Sequence, residues 1–170
     1  LSNMQLNQKG ANIPFAGEFN NCFVTIGGSG ATLGMVIFIA FFAKSAQLGA
    51  LGKASIVPAF FNINEPILFG MPIVYNPYTA IPFFLAPMAS MTIAYFAIDL
   101  HMVKPMIAQP AWPTPLGLSG FIGTAGDWRA IVLAFVCAFV AFLIWFPFIK
   151  FYDGKLYQDE QTKGAQEAAA

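Results

Sequence analysis

The stretch AIVLAFVCAFVAFLIWFPFI, residues 130–149, decides the fold class because it carries no charged side chain. A transmembrane helix needs about 20 apolar residues, and this stretch supplies them. Residues 23–43 and 81–103 are apolar over similar lengths. The sequence therefore predicts an all-α membrane protein with about three transmembrane helices.

The composition of the chain supports a lipid environment. Hydrophobic residues make up 58% of the 170 and charged residues 9%, whereas a soluble domain carries about 25% charged residues. The net charge is zero, so no basic surface indicates a nucleic-acid partner. Cys22 and Cys137 lack metal-ligand spacing and are interpreted as small hydrophobic residues. We expect no metal site and no cofactor.

Two further apolar segments, residues 56–76 and 108–126, are interrupted by prolines and glycines. Proline removes a hydrogen-bond donor and clashes with the preceding turn, so neither segment is predicted as a regular helix. Irregular backbone at membrane depth needs protein or a watery cavity to satisfy its polar groups. We interpret both segments as re-entrant broken-helix hairpins, around which transporters build binding sites.

The ends of the chain differ from its apolar middle. The first residues contain neither an initiator Met nor a signal peptide, so we expect a piece of a longer protein. Residues 153–170 are polar and are predicted to form a flexible tail after a membrane unit at residues 1–152. Basic residues favour the cytoplasmic side. This predicts a cytoplasmic C-terminus, because four lysines lie on that side against two basic residues on the other: Lys44, Lys53, Lys150 and Lys155 against Lys104 and Arg129.

The sharpest candidate site is Asn62-Ile63-Asn64-Glu65-Pro66, set within the first broken segment. Ionisable groups at membrane depth are costly and usually face a cavity or a partner. Pro66 disfavours helical geometry at Glu65. A carboxylate flanked by amides suits hydroxyl-rich ligands, because amides both donate and accept hydrogen bonds. The alternative is a helix-end cap or a structural knot of hydrogen bonds.

Two further candidates are a glycine-rich turn and a tryptophan. Gly27, Gly28, Ser29 and Gly30 lack the lysine of a P-loop and the spacing of a dinucleotide site. This turn predicts either close helix packing or backbone amides exposed to a ligand at a break within the span. Trp112 is either a platform for the apolar face of a sugar ring or an interfacial anchor.

Several other polar or aromatic residues are expected to be structural. His101 and Asp99 would lie on different helix faces, so no catalytic dyad is predicted. Asp127 is predicted to cap the helix that follows it. Trp128 and Trp145 lie near the ends of the third apolar stretch and are interpreted as interfacial anchors.

These segments carry a specific resemblance. With IGGSGATLG at residues 26–34 and FNINEPILFGMPIVYNP at residues 61–77, the chain resembles the membrane subunit IIC of the lactose/cellobiose/chitobiose family of the bacterial phosphotransferase system. Residues 112–115 and 126–129 agree with it, and the match covers residues 14–152. The resemblance implies that residues 1–152 are the C-terminal, sugar-binding half of such a permease.

The resemblance also implies a function. Such a protein is a homodimer in the bacterial inner membrane that binds a β-linked disaccharide. Its IIB partner carries a phosphocysteine, derived from phosphoenolpyruvate, that phosphorylates the C6 hydroxyl during uptake. Glu65 would lie beside this hydroxyl as the catalytic residue. Asn62, Asn64 and the glycine turn would line the site, and Trp112 would pack against the sugar. The dimer contacts and a histidine that partners the glutamate are expected in a half outside this chain.

Two other functions remain open from the residues alone. An ion-coupled secondary sugar transporter would need a second buried ionisable group, for which Asp99 is the candidate. A structural or assembly subunit would bind no ligand.

Overall fold

The computed structural model describes residues 2–16, 18–71, 73 and 75–168, and these residues form helices and connections without any strand. The helices, in chain order, are α1 Asn3–Gln8, a π-helical turn Asn20–Val24, α2 Leu33–Phe42, α3 Ala46–Phe60, α4 Glu65–Gly70, α5 Pro77–Asp99, α6 Leu118–Gly123 and α7 Trp128–Ala168. The all-α prediction is confirmed.

Two helices, α5 and α7, are long and apolar enough to cross a membrane. They correspond to the predicted stretches at residues 81–103 and 130–149. Helix α5 starts four residues earlier than that stretch, at Pro77. Asn76 caps it by accepting the N–H of Tyr78 at 3.1 Å, and proline in the first turn costs no hydrogen bond. The two helices pack along each other, and α2 packs against α3 and α7.

The first predicted span, residues 23–43, is not one helix. It consists of the end of the π-helical turn, a glycine loop at residues 25–32, and the ten residues of α2. Gly27, Gly28 and Gly30 have φ of +75°, +93° and +82°. These values lie outside the right-handed helical region and are accessible to glycine at little cost. The glycines therefore break this apolar stretch, which is the second of the two interpretations of the turn, and the predicted number of spans stays a prediction.

The first broken segment is more helical than its prolines predict. Helix α3 continues through Pro58 to Phe60, a turn follows at residues 61–64, and α4 begins at Glu65. Glu65 is helical, contrary to the expectation from Pro66, because Pro66 lies in the first turn, where its missing N–H has no helical partner. We call α3, the turn and α4 together, residues 46–70, the α3–α4 arm.

The second broken segment is irregular as predicted. Residues 104–117 form an irregular connection, with turns at residues 112–113 and 116–117, to the short helix α6. The N–H groups of Ile107 and Ala108 donate to the carbonyl oxygen of Gly123 at 2.8 and 3.1 Å. The connection therefore folds back on the end of α6.

The polar residues after position 152 continue α7 as far as Ala168, which differs from the predicted flexible tail. Residues 169 and 170 lie outside the described residues. Asp153 is 3% exposed and accepts the N–H of Lys44 at 2.9 Å and of Ser45 at 3.0 Å. Glu160 accepts the Ser45 hydroxyl at 2.6 Å. It also accepts the next two N–H groups, at 3.0 and 3.2 Å. Both carboxylates thus cap the start of α3, where acidic groups favour the helix dipole. The boundary at residue 152 stays a prediction.

Candidate ligand site

Asn62 joins three of the segments that the sequence singles out. Its Oδ1 accepts the N–H of Gly27 at 2.8 Å, and its Nδ2 donates to the carbonyl oxygen of Thr114 at 3.1 Å. The residue is 5% exposed. Its φ of +61° is one that asparagine tolerates better than most side chains. One buried amide therefore joins three segments, which are the turn at residues 61–64, the glycine loop and the Trp-Pro stretch at residues 112–115.

Asn64 makes a second set of bonds to the glycine loop. Its Nδ2 donates to the carbonyl oxygen of Ser29 at 2.7 Å and to the hydroxyl oxygen of Thr32 at 3.2 Å. The Thr32 hydroxyl in turn donates to the carbonyl oxygen of Gly27 at 2.7 Å. A Cβ atom at Gly28 would collide with the Asn64 side chain. Close approach of backbone and amide is thus the reason for glycine at this position.

Trp145 supports the loop from the other side. Its side chain is fully buried, and its indole N–H donates to the carbonyl oxygen of Gly30 at 3.0 Å. The interpretation of Trp145 as an interfacial anchor was therefore wrong. The buried face of α7 could have indicated this position, because small residues mark it at three- and four-residue spacing. They are Ala130, Ala134, Cys137 and Ala141, all buried.

The glycine turn is built mainly for packing. Gly27, Gly28 and Gly30 are buried, and Ser29 is exposed. A Cβ atom at Gly30 would collide with the ring of Phe83. Of the two interpretations of this turn, its geometry favours close packing. A role in contact with a ligand stays a prediction for all four residues.

The Glu65 side chain faces outward, whereas the side chains of the two asparagines face inward. The amides of Asn62 and Asn64 are buried and bonded inward, whereas Glu65 is exposed at the start of α4. The amides thus match the alternative of a structural knot of hydrogen bonds. The described residues alone do not enclose the Glu65 carboxylate in a cavity, which differs from the expectation of a carboxylate facing one. The hydrogen bonds of the two asparagines hold the exposed Glu65 side chain in a fixed position.

A polar groove of about 300 Å³ lies beside Trp112. Its indole is 53% exposed. The other lining residues are polar or proline: Glu18, Asn20, Asn21, Gln109 and Pro110. An indole face suits the apolar face of a sugar ring, and carboxylate and amide groups suit its hydroxyls. Asn21 is 4% exposed, and its amide has no hydrogen-bond partner among the described residues. The sequence reasoning missed this cluster, although its signal was the three polar residues Glu18, Asn20 and Asn21 before an apolar stretch.

The remaining polar candidates are separate from this assembly. Asp127 caps α7 as predicted, because its Oδ1 accepts the N–H of Arg129 at 3.0 Å. His101 follows the end of α5 with φ of +58°. In the part of the chain that the structure describes, no group of three or more His, Cys, Asp or Glu side chains could hold a metal ion.

Comparison with known proteins places the chain in a family. The family model described as Phosphotransferase system, EIIC, matches residues 2–87. The cellobiose-specific EIIC component of Lactococcus lactis subsp. lactis is 43% identical over 129 residues, which are 76% of this chain and 26% of that protein. The lichenan permease IIC component of Bacillus subtilis is 38% identical over 167 residues, 96% of this chain and 37% of that protein.

A solved structure has the same fold. The crystal structure of ChbC, the IIC component from the N,N'-diacetylchitobiose-specific phosphotransferase system, superimposes with a TM-score of 0.88 at 37% identity. The match covers 94% of this chain and 38% of ChbC. The chain thus spans between 26% and 38% of the length of these three proteins. It belongs to the phosphotransferase system EIIC family.

Proposed function

We propose that this chain is the sugar-binding part of a permease that takes up a β-linked disaccharide across the bacterial inner membrane. The IIB partner phosphorylates the C6 hydroxyl of the sugar during uptake. The observation that carries this proposal is the pair of hydrogen bonds in which the Asn62 amide accepts the N–H of Gly27 and donates to the carbonyl oxygen of Thr114. They bring the three family segments together and leave Glu65 and Trp112 exposed on the same assembly. The names of the similar proteins, which include cellobiose, lichenan and diacetylchitobiose, support this class of substrate.

Glu65 is the catalytic residue in this proposal. The C6 oxygen attacks the phosphorus of the IIB phosphocysteine, a P–O bond forms, and the P–S bond breaks to release the cysteine thiolate. The hydroxyl proton passes to the Glu65 carboxylate. Phosphoryl transfer depends mainly on positioning and electrostatics, so a carboxylate at a fixed position is a sufficient contribution from this subunit.

The other site residues bind or position the sugar. Trp112 packs against the sugar ring, and the groove beside it offers Glu18 and Gln109 to the hydroxyls. Asn62 and Asn64 support binding by holding the turn that presents Glu65. Ser29 is the exposed member of the glycine turn and faces the same ligand.

The two broken segments act as re-entrant hairpins in a multi-pass protein with a cytoplasmic C-terminus. The hydrogen bonds that the N–H groups of Lys44 and Ser45 donate to the Asp153 carboxylate support this orientation. They place the turn before α3 beside the polar end of α7, so the lysines that flank both elements share one side of the membrane. Dimer contacts and the partner histidine belong to the half outside this chain.

The test is Glu65→Gln in the full-length permease. We expect disaccharide binding to persist and IIB-dependent phosphorylation to fall by about 100-fold or more, the usual effect of losing a general base. Asp99→Asn is the matched control, because Asp99 is an exposed carboxylate at the end of α5. Unchanged binding and phosphorylation in Glu65→Gln would remove Glu65 from the site. Uptake that survives loss of IIB and fails in Asp99→Asn would instead indicate an ion-coupled transporter.

A further inference from the structure

We propose that the groove between α5 and α7 binds one anionic phospholipid, with an acyl chain in the groove and its phosphate between Arg129 and Lys104. This inference goes beyond sugar uptake, and it rests on an apolar groove that continues into a cationic cavity.

The apolar part has the lining that an acyl-chain site requires. It has a volume of about 670 Å³ and lies between the last turns of α5 and the first turns of α7. Phe96 and Leu100 form one wall, and Val132 and Val136 form the other. Thr92 lies at its inner end, and its hydroxyl donates to the carbonyl oxygen of Met88 at 2.9 Å, so the groove remains apolar. From Thr92 to Leu100 the helix rises roughly 12 Å.

The groove continues into a polar cavity of about 470 Å³ at the ends of the two helices. The two share Met102, Val103, Trp128 and Arg129. Trp128 is 65% exposed at this junction, as expected for an indole at the boundary between hydrocarbon and headgroups. One ligand with an apolar chain and a polar head therefore fits both parts.

The charges of the polar cavity favour a phosphate. Lys104 and Arg129 line it against one carboxylate, Asp127. That carboxylate accepts the backbone N–H groups of Arg129 and Lys104, each at 3.0 Å, and so fixes the connection to the start of α7. The Arg129 guanidinium has five N–H donors, and one of them makes a long 3.4 Å bond to the Met102 carbonyl oxygen. Lysine and arginine side chains beside a membrane surface attract anionic lipid headgroups, and this attraction requires only that the leaflet at this end of α7 contain such lipids.

A lipid explains this arrangement better than a covering helix or free phosphate. A helix that covered the groove would desolvate two cations that face a single carboxylate, which is costly. Inorganic phosphate would leave the apolar groove empty. A phospholipid satisfies both parts with one molecule.

The test is lipid retention by the full-length permease, purified in detergent and measured by native mass spectrometry. Phosphatidylglycerol and phosphatidylcholine with identical acyl chains are added in parallel. We expect one phosphatidylglycerol to be retained in preference to phosphatidylcholine, without competition from inorganic phosphate. Removing both cations, in Lys104→Gln with Arg129→Gln, should weaken this binding by roughly tenfold or more.

Two further variants keep the test decisive. Lys53→Gln with Lys163→Gln removes two exposed lysines elsewhere and should leave lipid binding unchanged. Val132→Trp fills the apolar groove without altering charge and should also reduce phosphatidylglycerol binding. Equal retention of both lipids, wild-type retention in the variants that target the groove, or no retained lipid at all would overturn the proposal.

Discussion

The indole N–H of Trp145 bonds to the carbonyl oxygen of Gly30 at 3.0 Å, although the residues are 115 positions apart. This contact connects the buried face of α7 to the loop on which Asn62 and Asn64 are fixed. A side chain of α7 thereby supports the loop against which the candidate ligand site is built.

Trp145→Phe should destabilise the protein by about 1–3 kcal/mol, because the buried Gly30 carbonyl loses this donor. The measurement is the Tm of the full-length permease in detergent. Trp128→Phe is the control, since Trp128 is 65% exposed, and it should leave the Tm nearly unchanged. Equal shifts in the two variants would show that the buried hydrogen bond is unimportant.

Asn62→Ala should weaken disaccharide binding by about tenfold or more, because both its acceptor and its donor contacts are lost. Binding titration of the full-length permease measures this. Asn62→Gly distinguishes the loss of the side-chain hydrogen bonds from backbone strain, because glycine adopts the φ of +61° without strain. Glycine should fail to restore affinity. Full recovery with glycine would mean that the backbone conformation alone matters.

Gly28→Ala should destabilise the protein by about 1–3 kcal/mol and reduce sugar affinity, because the new Cβ collides with the Asn64 side chain. The φ of +93° at position 28 adds strain for any L residue. Gly49→Ala is a matched control in α3, where a Cβ meets no atom within 4 Å, and alanine in a helix is favourable by about 1 kcal/mol. The Tm values of the two variants should therefore move in opposite directions. A stabilised Gly28→Ala protein would contradict this packing.

The backbone amides at the start of α3 should lose protection from hydrogen exchange in acid. The Ser45 hydroxyl and the N–H groups of Gln47 and Ala46 hold the pKa of the Glu160 carboxyl below its ordinary value of 4.5. The pKa of Glu160 is lower in the folded protein than in the unfolded chain, so the stability that this cap gives to the start of α3 is complete above pH 4.5. That stability is lost as the pH falls through the folded pKa. Hydrogen exchange of the Ala46 and Gln47 amides measures the effect.

In Glu160→Gln these two amides should be less protected at neutral pH, and their protection should lose most of its acid dependence. Asp159→Asn, a neighbouring exposed carboxylate, should behave like the wild type. Identical protection in Glu160→Gln and wild type would exclude Glu160 as a cap.

Helices α5 and α7 could be predicted because apolar length is a local property of the sequence. The break at residues 25–32 stayed one of two alternatives, because glycines within an apolar run also suit a continuous packed helix, and only their positive φ distinguishes the two. The helical state of residues 153–168 was missed for a different reason. Its supporting bond from Asp153 reaches Lys44, 109 positions away.

The sequence could predict which segments form the site, but not which of their side chains are buried and which are exposed. Asn62, Asn64 and Glu65 are close in sequence, and polar groups in an apolar segment indicate a special site. Their separation into inward amides and an outward carboxylate depends on the glycine loop and on Thr114. These partners come from distant parts of the chain, as does the groove that Trp112 shares with Asn21.

The two carboxylates that cap α3 connect the end of α7 to the α3–α4 arm. Asp153 and Glu160 are two turns apart on one face of α7, and both bind the turn at residues 44–47. Bending α7 beyond the membrane would tilt α3, and with it the turn that presents Glu65. A soluble protein docking on this exposed helix end would thus be mechanically coupled to the candidate site without touching it.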